Sequence, residues 1–220
     1  MNNINQLYQF VIQISNEFNI DESHALKHSM DVFYHAIDIF EHELNLFNFK
    51  NNDEYIQIKN IISLSAILHD MCDNKYMNED SGWNKINQLL IHFNIHNDSI
   101  QMIKHIIFNM SYSKVKKNGY PSTFFNDHHK FAYHIVREAD LITSYDFDRC
   151  VIFGMYKTNL NYHESFNESL NIFDDRVLKY IHNKLFITNY SKNYAQHLHS
   201  NALIKIKNLK KYIYNNINDL

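Results

Sequence analysis

Glycine and proline are scarce in this chain, which has three glycines and one proline in 220 residues. A sheet protein of this length needs many more of them at its turns, whereas helices joined by polar turns need few. Apolar residues also recur at helical spacing, first at Leu7, Phe10, Val11 and Ile14. The sequence therefore predicts an all-α protein.

The length is sufficient for one sizeable core, and nothing in the composition forces a division. We expect a single domain over residues 1 to 220, with its core over about 20 to 150 and C-terminal helices over about 170 to 218 packing on it. The segment SYSKVKKNGYPSTFFND, residues 111 to 127, is predicted to be a loop. Helices are predicted near residues 3 to 18, 23 to 47, 54 to 72, 80 to 94, 98 to 110, 127 to 146, 172 to 186 and 191 to 216.

Charge and composition exclude several classes of partner. A net charge of -3 gives no general attraction to polymeric nucleic acid or to anionic lipid. The N-terminus lacks the basic flank and apolar core of a signal peptide, and no window approaches the roughly 18 apolar residues that a membrane helix needs. Two distant cysteines fit no disulfide framework. We expect a cytoplasmic protein that binds neither nucleic acid polymers nor membranes.

The stretch LSAILHDMCDNKY, residues 64 to 76, combines an apolar run with charged and histidine side chains. The apolar run from Leu64 to Leu68 indicates a buried helix, and a buried charge must be paired or bound to a metal. His69 and Asp70 at the end of this helix therefore need a partner. Taken alone, the pair favours a core histidine that is hydrogen-bonded to an aspartate of a neighbouring turn.

Two further segments change this interpretation. His24 and His28 stand four residues apart in DESHALKHSMDVFYHA, a spacing that places both on one face of the second helix. Asp140 follows an apolar stretch in HIVREADLITSYDFD and lies on another partly buried helix. Three separate helices thus supply a histidine, a His-Asp pair and a distant aspartate.

This order of residues resembles that of the HD superfamily of metal-dependent phosphohydrolases. His28 matches the first histidine of the family, His69 and Asp70 match the signature pair, and Asp140 matches the last aspartate. The runs HDMCDNKY and IIFNMSYSK are similar to the HDxxDxK and SFSK-like segments of a branch of small bacterial-type members. The resemblance spans roughly residues 20 to 150 and implies an HD-domain helical bundle.

The resemblance implies that His28, His69, Asp70 and Asp140 bind one divalent metal ion. Two imidazoles and two carboxylates suit manganese, which we favour, or magnesium, cobalt, iron or zinc, but not calcium. A six-coordinate ion would keep room for a water molecule and a phosphate oxygen. The histidines that follow the pair do not match the pattern of members with two metals, so one ion is expected.

Four more residues are candidates for catalysis and substrate binding. Asp73 matches the acidic residue that serves relatives as a general base, although an aspartate there could equally form a surface salt bridge. Lys75 is the candidate phosphate contact of the same segment, and a solvated lysine is the alternative. The SFSK-like match adds Ser111 and Lys114 as further phosphate contacts.

The predicted function is a metal-dependent phosphohydrolase that acts on a small phosphate-containing metabolite, in the first place a nucleotide. The HDxxDxK match slightly favours phosphoanhydride cleavage. The segment EADLITS departs from the family, because Leu141 and Thr143 replace an arginine and an aspartate. Two alternatives remain: a non-catalytic HD-fold module that binds a nucleotide or a metal, and a plain helical protein with accidental histidines. The oligomeric state is left open.

Overall fold

The computed structural model describes residues 4–215, and all of its regular elements are helical. This confirms the all-α prediction, and no strand occurs among the described residues. The predicted position 3 and positions 216 to 218 lie outside the described range. The α-helices are α1 (Ile4–Phe18), α2 (Leu26–His42), α3 (Asn52–Leu68), α4 (Glu79–His92), α5 (Asn97–Asn109), α6 (Tyr112–Asn118), α7 (Asp127–Thr143), α8 (Phe147–Lys157), α9 (Tyr162–Asp175) and α10 (Asn189–Asn215).

The helices belong to two compact units. The first unit extends to Leu141 and the second begins at Ile142, so the boundary falls within the last turn of α7. The prediction of a single domain stays a prediction. None of the described helices is both long and apolar enough to cross a membrane.

Helix α3 forms the centre of the first unit, where it packs against α2 and α5. Every residue from Ile61 to Leu68 is buried, as the apolar run predicted. Asn51 caps the start of α3 by accepting a hydrogen bond from the backbone N–H of Glu54. The Ser29 hydroxyl of α2 donates to the carbonyl of Ile67 at 2.7 Å, which ties the two helices together near the end of α3.

Helix α4 lies close to the segment that follows α3. A Cβ atom at Gly82 would lie 2.7 Å from the Cα of Cys72, closer than real Cβ atoms approach. Only glycine therefore permits this approach of α4 to the backbone just after the His-Asp pair. The packing fixes the position of that segment.

Two predicted boundaries near the first unit's polar segments are wrong. Helix α2 begins at Leu26, so His24 lies in the turn before the helix. The segment 111 to 127 is not all loop, because its first part forms α6. The Ser111 side chain caps α6 by accepting from the N–H of Lys114, and Gly119 ends it with a positive φ of 76°. The N-cap at Ser111 and the terminating Gly119 thus define a short helix within a lysine-rich segment that was predicted to be a loop.

The second unit also differs from the prediction. The helix predicted at 172 to 186 is wrong for most of its length, because α9 ends at Asp175. Helix α8 and the part of α9 before residue 172 were not predicted. Asn161 and Glu164 form a reciprocal capping box at the start of α9, the signal that fixes its true start. Helices α8 and α9 pack closely, and the Ser165 hydroxyl donates to the Val151 carbonyl at 2.6 Å.

Candidate metal centre

The four predicted metal ligands converge from three segments of the first unit. His28 lies in the first turn of α2, and Asp140 lies in α7. His69 and Asp70 stand in the turn directly after α3, because α3 ends at Leu68 and not at the predicted residue 72. His28, His69 and Asp70 are buried, and the side chain of Asp140 keeps a small exposed fraction.

The nitrogen and oxygen atoms of these side chains face one another at short range. The Nε2 atoms of His28 and His69 are 3.1 Å apart. Asp70 Oδ2 lies 3.3 Å from Nε2 of His28 and 3.2 Å from Nε2 of His69. Asp140 Oδ1 lies 3.5 Å and 4.0 Å from the same two nitrogens. Among the described residues, His28, His69 and Asp140 are the one group of three such side chains whose ligand atoms all lie within 4.8 Å.

The hydrogen bonds of His69 determine which of its ring nitrogens faces the cluster. Its Nδ1 lies 2.9 Å from the carbonyl oxygen of Ala66, and a carbonyl can only accept. The hydrogen-bond network therefore assigns the proton to Nδ1. Nε2 of the neutral ring is left with a lone pair, the form in which histidine binds metals.

The electrostatics of the cluster favour positive charge. Burial by itself lowers the pKa of His69, but the carboxylates of Asp70 and Asp140 outweigh it and raise that pKa to about 9. Burial likewise raises the pKa of Asp70, but the imidazoles of His69 and His28 hold it well below its usual range. Without a bound cation, a protonated His69 supplies the positive charge that compensates the two carboxylates.

The donor set fits a divalent cation. Asp70 Oδ2 is buried and has no donor in hydrogen-bonding geometry among the described residues, although two imidazole nitrogens lie within 3.3 Å. A buried carboxylate oxygen of this kind needs a cation or a proton nearby. Two nitrogen and two oxygen ligands match the preferences of manganese, iron and zinc better than those of calcium.

Asp73 and Lys75 contact each other in the segment that follows. Asp73 Oδ1 accepts from the backbone N–H of Lys75 at 2.9 Å, and its Oδ2 lies 3.1 Å from Lys75 Nζ. The Lys75 side chain is 46% exposed. The carboxylate predicted to act as a base thus pairs with the lysine predicted to bind phosphate.

The other two predicted phosphate contacts belong to α6. Ser111 caps that helix, and its hydroxyl also lies 3.3 Å from the hydroxyl of Ser113. Lys114 Nζ pairs with Glu79 of α4 at 2.5 Å and lies over the ring of Phe108. The charges of Lys114, Glu79, Asp70 and Asp73 all influence the pKa of the buried Cys72 thiol. The roles of these residues in substrate binding stay predictions.

Sequence reasoning assigned no role to a polar network beside the cluster. Tyr76 joins Asp21 and His24, from which it is separated by more than 50 residues, and the rings of His24 and His28 are 6.0 Å apart. The four-residue spacing of His24 and His28 was the available signal. Such a spacing does not reveal the contact with Tyr76.

A second histidine group, here called the aromatic histidine cluster, comprises His105, His129 and His134 in the same unit. The rings of His105 and His129 are 4.9 Å apart, and aromatic rings surround them and His134. Burial and the nearby His105 lower the pKa of His129 to about 4. Burial, Arg137 and Lys130 lower that of His134 to about 3. These rings are therefore neutral at physiological pH.

A separate cavity of about 350 Å³ lies beside α3 and α5. Its lining includes Asp53, Gln57 and Asn60 of α3 and Ser99 of α5, but none of the predicted site residues. It is not the metal centre.

The fold has close counterparts among solved structures, although no protein-family model and no curated protein match the chain. It is similar to YpgQ of Bacillus subtilis, in a selenomethionine crystal structure, with 19% identity, 95% of each chain covered and a TM-score of 0.65. A second YpgQ crystal structure is 19% identical and covers 95% of this chain and 94% of that one, with a TM-score of 0.63. The crystal structure of a Lactobacillus plantarum protein is 17% identical. The match covers 94% of this chain and 95% of that one, with a TM-score of 0.66. At these identities the likeness shows the helical fold alone.

Proposed function

We propose that the protein is an HD-type, metal-dependent phosphohydrolase of small phosphate-containing metabolites. One observation carries the proposal. The ligand atoms of His28, His69, Asp70 and Asp140 converge from three segments into one buried cluster, and the Ala66 carbonyl holds His69 in the metal-binding tautomer. A plain helical core has no need for this arrangement, because burying two carboxylates costs free energy unless a cation compensates.

His28, His69, Asp70 and Asp140 would hold one divalent ion, with manganese favoured and magnesium, cobalt, iron or zinc as alternatives. The bound ion would polarise a phosphoryl group and lower the pKa of a water molecule. Ala66 orients His69 through Nδ1, and Ser29 holds the end of α3 against α2, so these contacts fix the ligands before metal arrives.

Beyond the ligands, Lys75 is the proposed phosphate contact, because its ammonium is partly exposed in the segment that carries His69 and Asp70. Asp73 is the proposed general base, and its carboxylate must leave Lys75 in part before it can accept a proton. Ser111 and Lys114 are proposed as further phosphate contacts, with Lys114 exchanging Glu79 for substrate.

The proposed substrate is a nucleotide, and cleavage of a phosphoanhydride is favoured over cleavage of a monoester. The support is the similarity of HDMCDNKY to the HDxxDxK segment of the small HD branch. The two cysteines, Cys72 and Cys150, are both free, in keeping with a cytoplasmic location.

The test is release of phosphate and pyrophosphate from a panel of nucleoside mono-, di- and triphosphates. Purified protein is stripped of metal and then given manganese, magnesium, cobalt, iron or zinc in turn. We expect one metal to restore turnover in the wild type and none to restore it in Asp70→Ala. Full activity of Asp70→Ala would refute the site.

One observation favours a second candidate, a non-catalytic HD-fold module that binds a nucleotide or a metal. Both lysines proposed as phosphate contacts already pair with carboxylates, Lys75 with Asp73 and Lys114 with Glu79. Stoichiometric metal binding without turnover of any nucleotide in the panel would select this candidate.

A further inference from the structure

The turn before α2 and the segment after α3 are joined by hydrogen bonds among side chains. Tyr76 Oη lies 2.5 Å from Asp21 Oδ2 and 3.0 Å from His24 Nδ1. Ser23 Oγ also bonds to Asp21 Oδ1 and lies 2.6 Å from His24 Nδ1. The network thus holds His24 from one side by two hydroxyl groups.

The direction of these bonds determines what His24 presents on its other side. An ionised carboxylate only accepts, so the hydroxyls of Tyr76 and Ser23 donate to Asp21 and use their lone pairs for His24. Burial and Asp21 raise the pKa of Tyr76, which keeps its hydroxyl a donor. His24 Nδ1 therefore carries the proton, and Nε2 is an acceptor.

Nε2 of His24 faces the ammonium of Lys75 at 3.3 Å. The ammonium also lies 3.1 Å from Asp73 Oδ2. An ammonium has three N–H donors, and these two partners account for two of them. Because 46% of the Lys75 side chain is exposed, the third donor can serve an anion from solvent.

The network lies next to the candidate metal centre. The rings of His24 and His28 are 6.0 Å apart, and Nε2 of His28 lies 3.3 Å from Asp70 Oδ2. An anion that contacts Lys75 is thus close to the metal ligands. Two adjacent phosphates of one substrate would suit such a pair of neighbouring sites.

We propose that His24 is a positioning residue, held by Asp21 and Tyr76, that fixes the Lys75 ammonium for a phosphate group adjacent to the one at the metal centre. This rests on the proposed function, since it assigns Lys75 to a polyphosphate substrate. His24 acts through Lys75 and does not itself contact the substrate. The site takes a diphosphate unit, as in a nucleoside diphosphate or triphosphate.

The test measures binding of imidodiphosphate, a diphosphate analogue that resists hydrolysis, to the full chain loaded with manganese. Manganese affinity is measured separately for every variant. We expect His24→Ala and Lys75→Ala each to weaken imidodiphosphate binding about tenfold, as loss of a hydrogen bond to a charged group predicts. We expect manganese affinity to stay within about twofold, since neither residue is a ligand.

The double variant His24→Ala/Lys75→Ala separates positioning from direct contact. If His24 acts through Lys75, the double variant binds no more weakly than Lys75→Ala alone. His24→Gln keeps an acceptor for the ammonium and should recover most of the affinity. Tyr76→Phe should weaken binding about threefold, because Ser23 still holds Nδ1. His42→Ala, at the exposed end of α2, is the matched control without effect.

Each contrary result overturns the inference. Additive losses in the double variant would mean that His24 acts independently, and loss of manganese affinity in His24→Ala would mean a structural role. No binding of imidodiphosphate by the wild type would remove the site. The nucleotide panel fails or succeeds separately. A KM for the nucleotide that His24→Ala leaves unchanged refutes only the inference, and the expected binding pattern without turnover refutes only the hydrolase.

Discussion

Two groups of histidines lie in the unit that ends at Leu141, and their charged surroundings differ. In the candidate metal centre, the carboxylates of Asp70 and Asp140 accompany the rings of His28 and His69. In the aromatic histidine cluster, the rings of His105, His129 and His134 are accompanied by Phe and Tyr rings and by the cations Arg137 and Lys130. Burial affects the pKa of histidines in both groups.

The consequence is an opposite shift in pKa. Burial lowers the pKa in both groups, but carboxylates raise that of His69 to about 9, whereas cations help to lower that of His134 to about 3. The comparison teaches that buried histidine alone does not define a metal site. The candidate metal centre differs by its adjacent carboxylates, which make the surroundings of its histidines negative.

The largest expected effect comes from removing a carboxylate. Asp70→Ala leaves two imidazoles without their closest anion, so the centre comes to resemble the aromatic histidine cluster. We expect manganese affinity to fall at least about 1,000-fold, or about 4 kcal/mol. Isothermal titration calorimetry measures the loss. His129→Phe is the control: unchanged manganese affinity is expected, and a comparable loss there would contradict the comparison.

The next effect is on stability in acid. His134 has a folded pKa of about 3, below the ordinary value of 6.5, so the unfolded chain takes up a proton first as the pH falls. Its contribution is complete above pH 6.5 and is lost progressively below it, by about 3 kcal/mol between pH 6.5 and 4. Denaturant unfolding of wild type and His134→Phe should show a smaller loss in the variant over this range.

His69 provides the opposite slope in metal-free protein. Its folded pKa of about 9 lies above 6.5, so its contribution is present below pH 6.5 and is lost as the pH rises through 9. His69→Gln should therefore flatten the alkaline side of the stability profile, and His134→Phe the acid side. If both substitutions flattened the same side of the stability profile, the contrast between the two groups of histidines would be refuted.

Replacing Gly82 or Gly119 by alanine tests how much space the backbone has near each group of histidines. Gly82→Ala places a Cβ 2.7 Å from the Cα of Cys72, beside the segment that carries His69 and Asp70. We expect a loss of about 2 kcal/mol in stability together with weaker manganese binding. Gly119 precedes Tyr120, whose ring lies 5.3 Å from that of His134 in the aromatic histidine cluster. Gly119 has open space around it and a φ of 76°. Gly119→Ala should cost about 1 kcal/mol and leave manganese affinity unchanged; equal effects on metal would contradict this.

Two lysines, one beside each group of histidines, are expected to differ in their effect on the kinetics. Lys75→Ala should raise the KM for the nucleotide that the panel identifies about tenfold, with manganese affinity retained, because one phosphate contact is lost. Lys130, whose charge acts on His134, is the matched lysine of the other cluster. Lys130→Ala should leave both kinetic constants unchanged. Steady-state kinetics at saturating manganese decides between these outcomes.

Sequence reasoning predicted most helices of the first unit because their apolar residues repeat regularly, as in α1, or form a continuous apolar run, as in α3. It missed α6, whose seven residues lack such a repeat and whose signals are Ser111 and Gly119 at the ends. The ligand set followed from a family resemblance, and the structure brings its four side chains together. The contact of Tyr76 with Asp21 and His24 could not be predicted, since no local pattern encodes a pairing across more than 50 residues.

The end of α3 has one more consequence, for the order in which ligands bind. Its final carbonyls meet the site, where Ala66 accepts from His69 and Ile67 from Ser29. A helix of 17 residues ends there with the negative pole of its dipole, which adds to the charges of Asp70 and Asp140. An anionic phosphate is repelled from such a place until a cation has entered. We therefore expect compulsory order, with metal first and substrate second.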